Sequence, residues 1–365
     1  MTSANLSQNL HGSLANEEGF RKFSWVGLLL TTTALGAGTA ALAQQKTMFV
    51  AGYGGSYEQT MRKEVIPLFE KQANVKIEYV AGNSTDTLAK LQAQKGNQQI
   101  DVAIVDDGPA YQAVALGFCG TLTDGPVYKD VAPVMKFSSN KGVGLGLVAT
   151  GLFYNTKVFA ENKWPAPTSW NDLKSKTYGK KIVTPPINNT YGLHALIAMA
   201  QIGGGGESNI EPGFKTFKDE INPNIIAYEP SPAKMTELFQ NGQAVLGVWG
   251  SGRVKAFADT GFPVAFVYPK EGSFALGVAA CPVEGAKNPA EANAFIQFML
   301  SPAIQKVMAT GAGFGPANVT VTLTTDEQKG LPYGDEVKAL KAVDWDIANA
   351  KREEWTKRWN REIER

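Results

Sequence analysis

Histidine and cysteine are scarce in this chain, which has two of each among 365 residues. That supply cannot build the clustered ligands of a typical zinc site. The sequence also has no phosphate-binding loop ending in Lys-Ser or Lys-Thr and no nucleophile elbow. His194 has no evident acid–base partner, and the four glycines that begin at Gly203 lack the strand and spacing of a dinucleotide site. We therefore expect a binding protein without a cofactor or metal rather than an enzyme.

Neither sign of charge dominates, since 35 basic and 34 acidic residues leave a formal net charge of +1. Low-complexity tracts, long like-charge runs and visible repeats are also absent from the sequence. The chain therefore offers no electrostatic reason to bind nucleic acid or an anionic membrane. Its length suggests two compact units, its apolar content of 44% is ordinary for a globular protein, and we expect a monomer.

The N-terminal segment has the features of a secretory signal. Arg21 and Lys22 precede an apolar stretch of small residues, and Ala41-Leu42-Ala43 matches the small-x-small pattern of a signal-peptidase site. The stretch is too short, and too rich in threonine and glycine, for a retained membrane anchor. Position 44 is Gln rather than the Cys of a lipoprotein. We predict that residues 1–43 form a cleaved signal peptide.

The two cysteines, Cys119 and Cys281, would then be exported to a compartment that permits disulfide bonds. A disulfide bond and two buried free thiols are both compatible with the sequence. A bond that closes so long a loop would stabilise the fold by about 3–5 kcal/mol.

Short apolar runs alternate with helical patterns, which predicts parallel sheets with crossover helices. The predicted strands are 47–51, 76–80, 101–105, 181–184, 244–249 and 263–268. The predicted helices of the first half are 59–72, which Pro67 should kink or shorten, 85–95 and 109–116.

Helix starts in the second half are marked by a capping side chain before a proline. These starts are Ser231-Pro232, Asn288-Pro289 and Ser301-Pro302. Glu291 would complete a capping box with Asn288, and Gly311 would end the last of these helices. Residues 345–365 predict a charged helix that packs through Ile347, Ala350 and Trp355.

The glycine-rich segment 142–155 predicts the point at which the chain crosses from a first lobe to a second, with a return near 262–271. These crossings assign residues 44–150 plus 272–325 to lobe 1 and residues 151–271 plus 326–365 to lobe 2. In an open α/β sheet, ligands bind at the carboxyl ends of strands, where helix N-termini present backbone N–H groups.

Four turns at such strand ends carry unusual side chains, two in each predicted lobe. They begin at Gly52, Asp106, Asn188 and Trp249. Taken singly, each turn could be explained by tight backbone geometry or helix capping. Together, their aromatic rings could enclose an organic cation, the two aspartates could pair with an ammonium group, and Arg253 could hold a carboxylate. With residues from the segments discussed next, the candidate ligand-binding residues are Tyr53, Gly54, Ser56, Tyr57, Asp106, Asp107, Tyr154, Tyr191, Trp249, Ser251, Arg253 and Glu271.

Five ordered segments resemble the spermidine/putrescine-binding-like branch of the family 1 extracellular solute-binding proteins of ABC transporters. The segments are Tyr53-Gly54-Gly55-Ser56-Tyr57 with Ile66-Pro67-Leu68-Phe69-Glu70, Gly151-Leu152-Phe153-Tyr154-Asn155-Thr156, Pro167-Thr168-Ser169-Trp170-Asn171-Asp172-Leu173, Lys270-Glu271-Gly272-Ser273, and Pro282-Val283-Glu284-Gly285-Ala286-Lys287-Asn288. This resemblance implies a periplasmic-binding-protein-like α/β fold with two lobes, a hinge and a ligand cleft between the lobes. It also implies a periplasmic location and delivery of a small solute to an ABC permease in the inner membrane.

One departure from that family bears on the ligand. Polyamine binders of this type tend to carry Trp and Asp in the strand after the Glu-Gly-Ser turn, and residues 274–280 contain neither. A solute with one amine and one carboxylate, such as an amino-acid derivative, therefore fits at least as well as a polyamine. A ferric-ion or other metal carrier of the same fold remains an alternative, as does, more remotely, a hydrolase that uses carboxylates such as Asp106 and Asp107.

Overall fold

The computed structural model describes residues 45–137 and 139–364. The predicted signal peptide therefore lies outside the described residues. Within the described ranges, no helix combines the length and the apolar character needed to cross a membrane.

The ten strands of the described chain join in one sheet of mixed direction. They are β1 (Lys46–Tyr53), β2 (Val75–Gly82), β3 (Val102–Asp106), β4 (Val143–Asn155), β5 (Ile182–Thr184), β6 (Ile225–Tyr228), β7 (Leu246–Gly250), β8 (Val264–Val267), β9 (Phe274–Pro282) and β10 (Gly315–Pro316). All six strands predicted from apolar runs are present, with ends that differ by at most two residues. The sequence did not predict β6, and the segment interpreted as a crossing is the 13-residue strand β4.

Helices lie between these strands and after the last of them. They are α1 (Ser56–Thr60), α2 (Ile66–Ala73), α3 (Ser84–Ala93), α4 (Asp107–Ala115), α5 (Thr156–Glu161), α6 (Thr190–Ile202), α7 (Glu211–Thr216), α8 (Pro232–Gln240), α9 (Ser251–Ala258), α10 (Pro289–Met299), α11 (Pro302–Ala312), α12 (Thr325–Gln328), α13 (Asp335–Lys338) and α14 (Trp345–Glu362).

The sheet consists of two parallel groups joined by antiparallel strands. Its order is β2-β1-β3-β9-β4-β7-β5-β6, with β8 and β10 also paired to β4. Strands β1, β2 and β3 run parallel to one another, and so do β5, β6 and β7. Between them, β4 pairs antiparallel with β9 along its first part and with β7 and β8 along its second part. These pairings make β4 the strand that connects the two groups.

Pro67 lies at the start of α2 and does not end the helix, which the sequence predicted to be kinked or shortened there. The chain remains helical from α1 to α2 because a wider π-helical turn, Met61–Val65, precedes the proline. Proline lacks an N–H and crowds the carbonyl four residues earlier, and a π-helical turn relaxes the hydrogen-bond ladder at that place.

Two predicted helix-end signals are corrected by tertiary contacts. Helix α11 continues through Gly311 and ends at Gly313, whose φ of 75° is the left-handed conformation that glycine adopts without strain. Asn288 does not form the capping box, because its side-chain amide donates instead to the buried carboxylate of Asp101 and to the Thr47 carbonyl. Glu291 instead pairs with Lys46.

The C-terminal helix α14 packs through a face different from the one predicted. Trp355 and Trp359 are buried together with Ala348, whereas Ala350 is exposed and Ile347 is only partly covered. The Trp359 ring meets the edges of Phe217 and Tyr228 at about 5 Å. The tail helix is therefore part of a core rather than a surface addition.

Two large hydrophobic cores are built from different parts of the chain. The first gathers residues between 48 and 148 and between 276 and 317, and the second gathers residues between 152 and 248 together with 274 and 343–363. The predicted lobe boundaries remain a prediction.

A smaller core contains Cys119 and Cys281, which form a disulfide bond across 162 residues of sequence. This resolves the choice between a bond and two free thiols.

Replacing both cysteines should destabilise the fold substantially, because a long loop is freed in the unfolded chain. We expect the Cys119→Ala/Cys281→Ala protein to lose about 3–5 kcal/mol of unfolding free energy in urea titrations. The oxidised parent is the reference, and the parent treated with reductant should behave like the variant. An unchanged urea midpoint in the variant would contradict a stabilising role.

Candidate functional site

A cavity of about 380 Å³ lies at the carboxyl ends of strands from both parallel groups. Residues at or just after the ends of β1, β2 and β3 form one wall, and residues after β5, β6 and β7 form the other. Its lining consists of Tyr53, Gly54, Gly55, Ala81, Gly82, Asn83, Ser84, Thr85, Asp86, Asp106, Pro185, Asn188, Asn189, Thr190, Tyr191, Glu229, Pro230, Ser231, Pro232, Ala233, Met235, Trp249 and Arg253.

Half of the candidate residues line this cavity. The six are Tyr53, Gly54, Asp106, Tyr191, Trp249 and Arg253. Ser56 and Tyr57 line a smaller space of about 10 Å³, here called the rear chamber, which shares Tyr53, Asp106, Tyr191 and Arg253 with the main cavity. The structure thus brings eight of the twelve residues together around two adjoining spaces.

Two candidates that follow strand ends turn away from both spaces. Ser251 is fully buried, and its hydroxyl accepts the backbone N–H of Ala149 in β4. Asp107 accepts hydrogen bonds from its neighbour Gly108 and from the indole of Trp345. Both side chains join structural elements and line neither space, so their assignment to the ligand site stays a prediction.

The remaining two candidates lie elsewhere in the fold. Tyr154 is at the carboxyl end of β4, which runs antiparallel to β7, and its ring packs on Phe159. Glu271 accepts hydrogen bonds from the Ser169 hydroxyl and the Trp170 backbone. Neither residue lines the cavity, so these two assignments also stay predictions.

Asp106 is a buried, hydrogen-bonded carboxylate of the cavity wall. It is 8% exposed and accepts hydrogen bonds from the Tyr53 hydroxyl, at 2.7 Å, and from the Thr190 hydroxyl. Its backbone N–H donates to the Ser84 hydroxyl. These hydrogen bonds connect β3 to β1, on the same wall, and to the start of α6, on the opposite wall.

Arg253 also bridges the two walls. Its Nη1 donates to the Gly54 carbonyl at 2.6 Å, and its guanidinium hydrogen-bonds the Tyr191 hydroxyl. Thr85 makes a third bridge, donating its hydroxyl to the Asn188 carbonyl at 2.6 Å. The two walls are therefore in direct contact around the cavity, as in a closed clamp.

Two acidic residues of the lining were missed by the sequence analysis. Asp86 follows β2, and Glu229 follows β6, where it accepts the Ser231 N–H at 2.7 Å. Strand β2 was predicted but its end was not examined, and β6 was not predicted at all. The Ser231-Pro232 helix start was the available signal for a strand end just before it.

The cavity carries an excess of negative formal charge and a partly aromatic surface. Asp86, Asp106 and Glu229 are acidic, and Arg253 is the one basic side chain in this lining. Burial raises the pKa of Tyr53 above its usual range and that of Tyr191 to about 12. Both hydroxyls therefore stay protonated near neutral pH and can act as donors.

Comparisons with known proteins identify the family of this chain. Residues 64–339 match the bacterial extracellular solute-binding protein family. The chain therefore belongs to that family, whose members bind small solutes, work with ABC permeases and are not enzymes.

Individual relatives differ in the solute that their names give. The γ-aminobutyric acid-binding protein of Pseudomonas aeruginosa is 24% identical over 94% of this chain and 98% of its own length. The spermidine/putrescine-binding periplasmic protein of Escherichia coli is 28% identical over 42% of this chain and 43% of its own length. The binding protein AgtB of A. tumefaciens R10, solved with agropinic acid, superimposes with a TM-score of 0.72 over 88% of this chain and 99% of its own, at 22% identity. This solved neighbour has the fold that the sequence predicted, so the predicted fold class is confirmed.

Asp107 should make the stability of the fold depend on pH. Burial, together with the nearby charge of Asp106, raises its pKa to about 7. An acid whose pKa is raised on folding is most favourable below its unfolded value near 4, and that contribution is lost as the pH rises through about 7. Relative to Asp107→Asn, the wild-type unfolding free energy should fall by up to about 1.4 kcal/mol per pH unit between pH 4 and 7.

The measurement is urea unfolding of both proteins across that range, with the exposed substitution Asp124→Asn as a control. Parallel stability curves for wild type and Asp107→Asn would contradict the raised pKa.

Proposed function

We propose that this protein captures a small amine-containing solute in the periplasm, encloses it between two lobes and delivers it to an ABC permease. Among such solutes, the lining favours an amino-acid-like zwitterion over a polyamine. The relatives that bind γ-aminobutyric acid and putrescine mark these two possibilities.

The observation that carries this proposal is the pairing of acidic side chains with one guanidinium in a single cavity. Glu229 and Asp86 suit a protonated amine, and Arg253 suits a carboxylate through hydrogen bonds from its planar fork. A polyamine would bring a second positive charge toward Arg253. Strand β9 supplies no acid to offset it, because Leu276 and Val278 line the rear chamber instead.

A ferric-ion carrier is less well supported. Ferric carriers bind through deprotonated tyrosines, and burial raises the pKa of Tyr53, Tyr57 and Tyr191. Over residues 45–137 and 139–364, no group of three or more His, Cys, Asp or Glu side chains is arranged to hold a metal ion.

Calorimetry with two solutes of equal chain length tests the ligand class. We expect the exported protein to bind γ-aminobutyrate more tightly than putrescine. Arg253→Gln should weaken γ-aminobutyrate binding ten- to one-hundred-fold, since a hydrogen bond to a charged group contributes about 1.5–3 kcal/mol.

Lys255→Gln is the matched control, because Lys255 lies on the same helix and pairs with Asp259 outside the cavity. Tighter binding of putrescine, or equal effects of the two substitutions, would contradict the zwitterion proposal. A protein that binds no amine-containing compound would contradict the function itself.

Closure of the clamp can be tested at a glycine contact between α9 and the end of α11. A Cβ at Gly252 would lie 2.6 Å from the Gly313 carbonyl oxygen and 2.8 Å from that of Ala312. Alanine suits the helix itself, so Gly252→Ala should oppose closure without disrupting α9. We expect solute affinity to fall at least about ten-fold, 1.4 kcal/mol, and the solute-bound radius of gyration to increase.

Gly142→Ala is the control, because its Cβ would meet its nearest neighbours at 3.5 Å or more. Wild-type affinity and compaction in Gly252→Ala, measured by calorimetry and small-angle scattering, would show that this contact does not limit closure.

A further inference from the structure

The rear chamber contains a polar group that the proposed function does not use. Tyr57 is 2% exposed, and its hydroxyl makes no hydrogen bond with any of the residues that the structure describes. Its ring is held edge-on by Tyr53 and Phe314, at 5.1 and 5.3 Å between centroids. A buried hydroxyl without a partner is destabilising by about 1–3 kcal/mol, so a fixed one calls for an explanation.

The chamber has the size and the polar lining to supply that partner. Its volume of about 10 Å³ corresponds to about one water-sized atom. Arg253 and Ser56 line it together with Tyr57, and the positive charge of Arg253 acts on the Tyr57 hydroxyl by lowering the pKa that burial raises. Tyr53, Asp106 and Tyr191 add further polar groups to the wall, and the rest of it is apolar. It includes Val148, Leu276, Val278, Ala312 and Phe314.

We propose that the rear chamber binds one oxygen atom, which accepts hydrogen bonds from the Tyr57 hydroxyl and the Arg253 guanidinium. The oxygen belongs either to a carboxylate of the solute or to a water molecule that stays in the protein. In the first case Tyr57 determines specificity directly. In the second it is a positioning residue that fixes Arg253 through the water. The carboxylate case rests on the proposed function, and the water case does not.

Tyr57→Phe tests this, since it removes only the hydroxyl. If a resident water is bound, the variant loses a hydrogen bond, and the melting temperature of the solute-free protein should fall by several degrees. Thr184→Val is the matched control, because the Thr184 hydroxyl is also buried and unpartnered but lines neither space. Removing a hydroxyl that truly lacks a partner leaves the melting temperature unchanged or raises it.

If the oxygen comes from the solute, Tyr57→Phe should leave the solute-free melting temperature unchanged or raised. It should then weaken γ-aminobutyrate binding about ten-fold while putrescine binding is unaltered. Val278→Ile adds a methylene group to the chamber wall and should cause the same loss as Tyr57→Phe. The loss is in melting temperature if the oxygen belongs to a water molecule, and in γ-aminobutyrate affinity if it belongs to the solute.

The proposal is overturned if Tyr57→Phe behaves like Thr184→Val in melting and leaves both affinities as in wild type. If the wild-type protein binds neither γ-aminobutyrate nor putrescine, the proposed function fails independently of this proposal. The melting experiment alone then tests whether the rear chamber binds an oxygen atom. A fall in the Tyr57→Phe melting temperature then supports a bound water, and an unchanged or raised one overturns the proposal.

Discussion

The arrangement of the cavity depends on one buried carboxylate. Asp106 ends strand β3 inside the protein, where an unpaired carboxylate would be strongly unfavourable. Its partners, Tyr53 and Thr190, come from the two opposite walls, so the hydrogen bond from Thr190 forms only when the walls approach. Tyr191, the residue after Thr190, lies beside Arg253 on the same wall, and these two residues line both the main cavity and the rear chamber together with Tyr53 and Asp106.

The parts of this arrangement that follow from strand position could be predicted from sequence. Tyr53, Asp106 and Trp249 end apolar runs that continue into glycine-containing turns, and parallel strands bring their carboxyl ends to one edge. The fold class could be predicted for the same reason, because alternating apolar runs and helical patterns leave few other layer arrangements. Local sequence therefore determined which backbone segments face the cavity.

Side-chain direction and short strands could not be predicted in this way. Asp107 and Ser251 come directly after the last residue of a strand. Each begins a helix, however, and its side chain turns toward structural partners. Glu229 was missed because the four residues of β6 are too few to show a period. Tyr154 lies outside the cavity for a topological reason. Strand β4 runs antiparallel to β7, so Tyr154 pairs with Leu246, at the far end of β7 from Trp249.

The position of α14 in the sequence has a consequence for biosynthesis. Trp355 and Trp359 are nearly inaccessible in the second core, which they share mainly with residues between 152 and 248. Without these rings the core would retain large voids, which are strongly destabilising. The second core therefore cannot reach its final packing until helix α14 (Trp345–Glu362) has left the ribosome. Until then the nascent chain remains incompletely folded in this region.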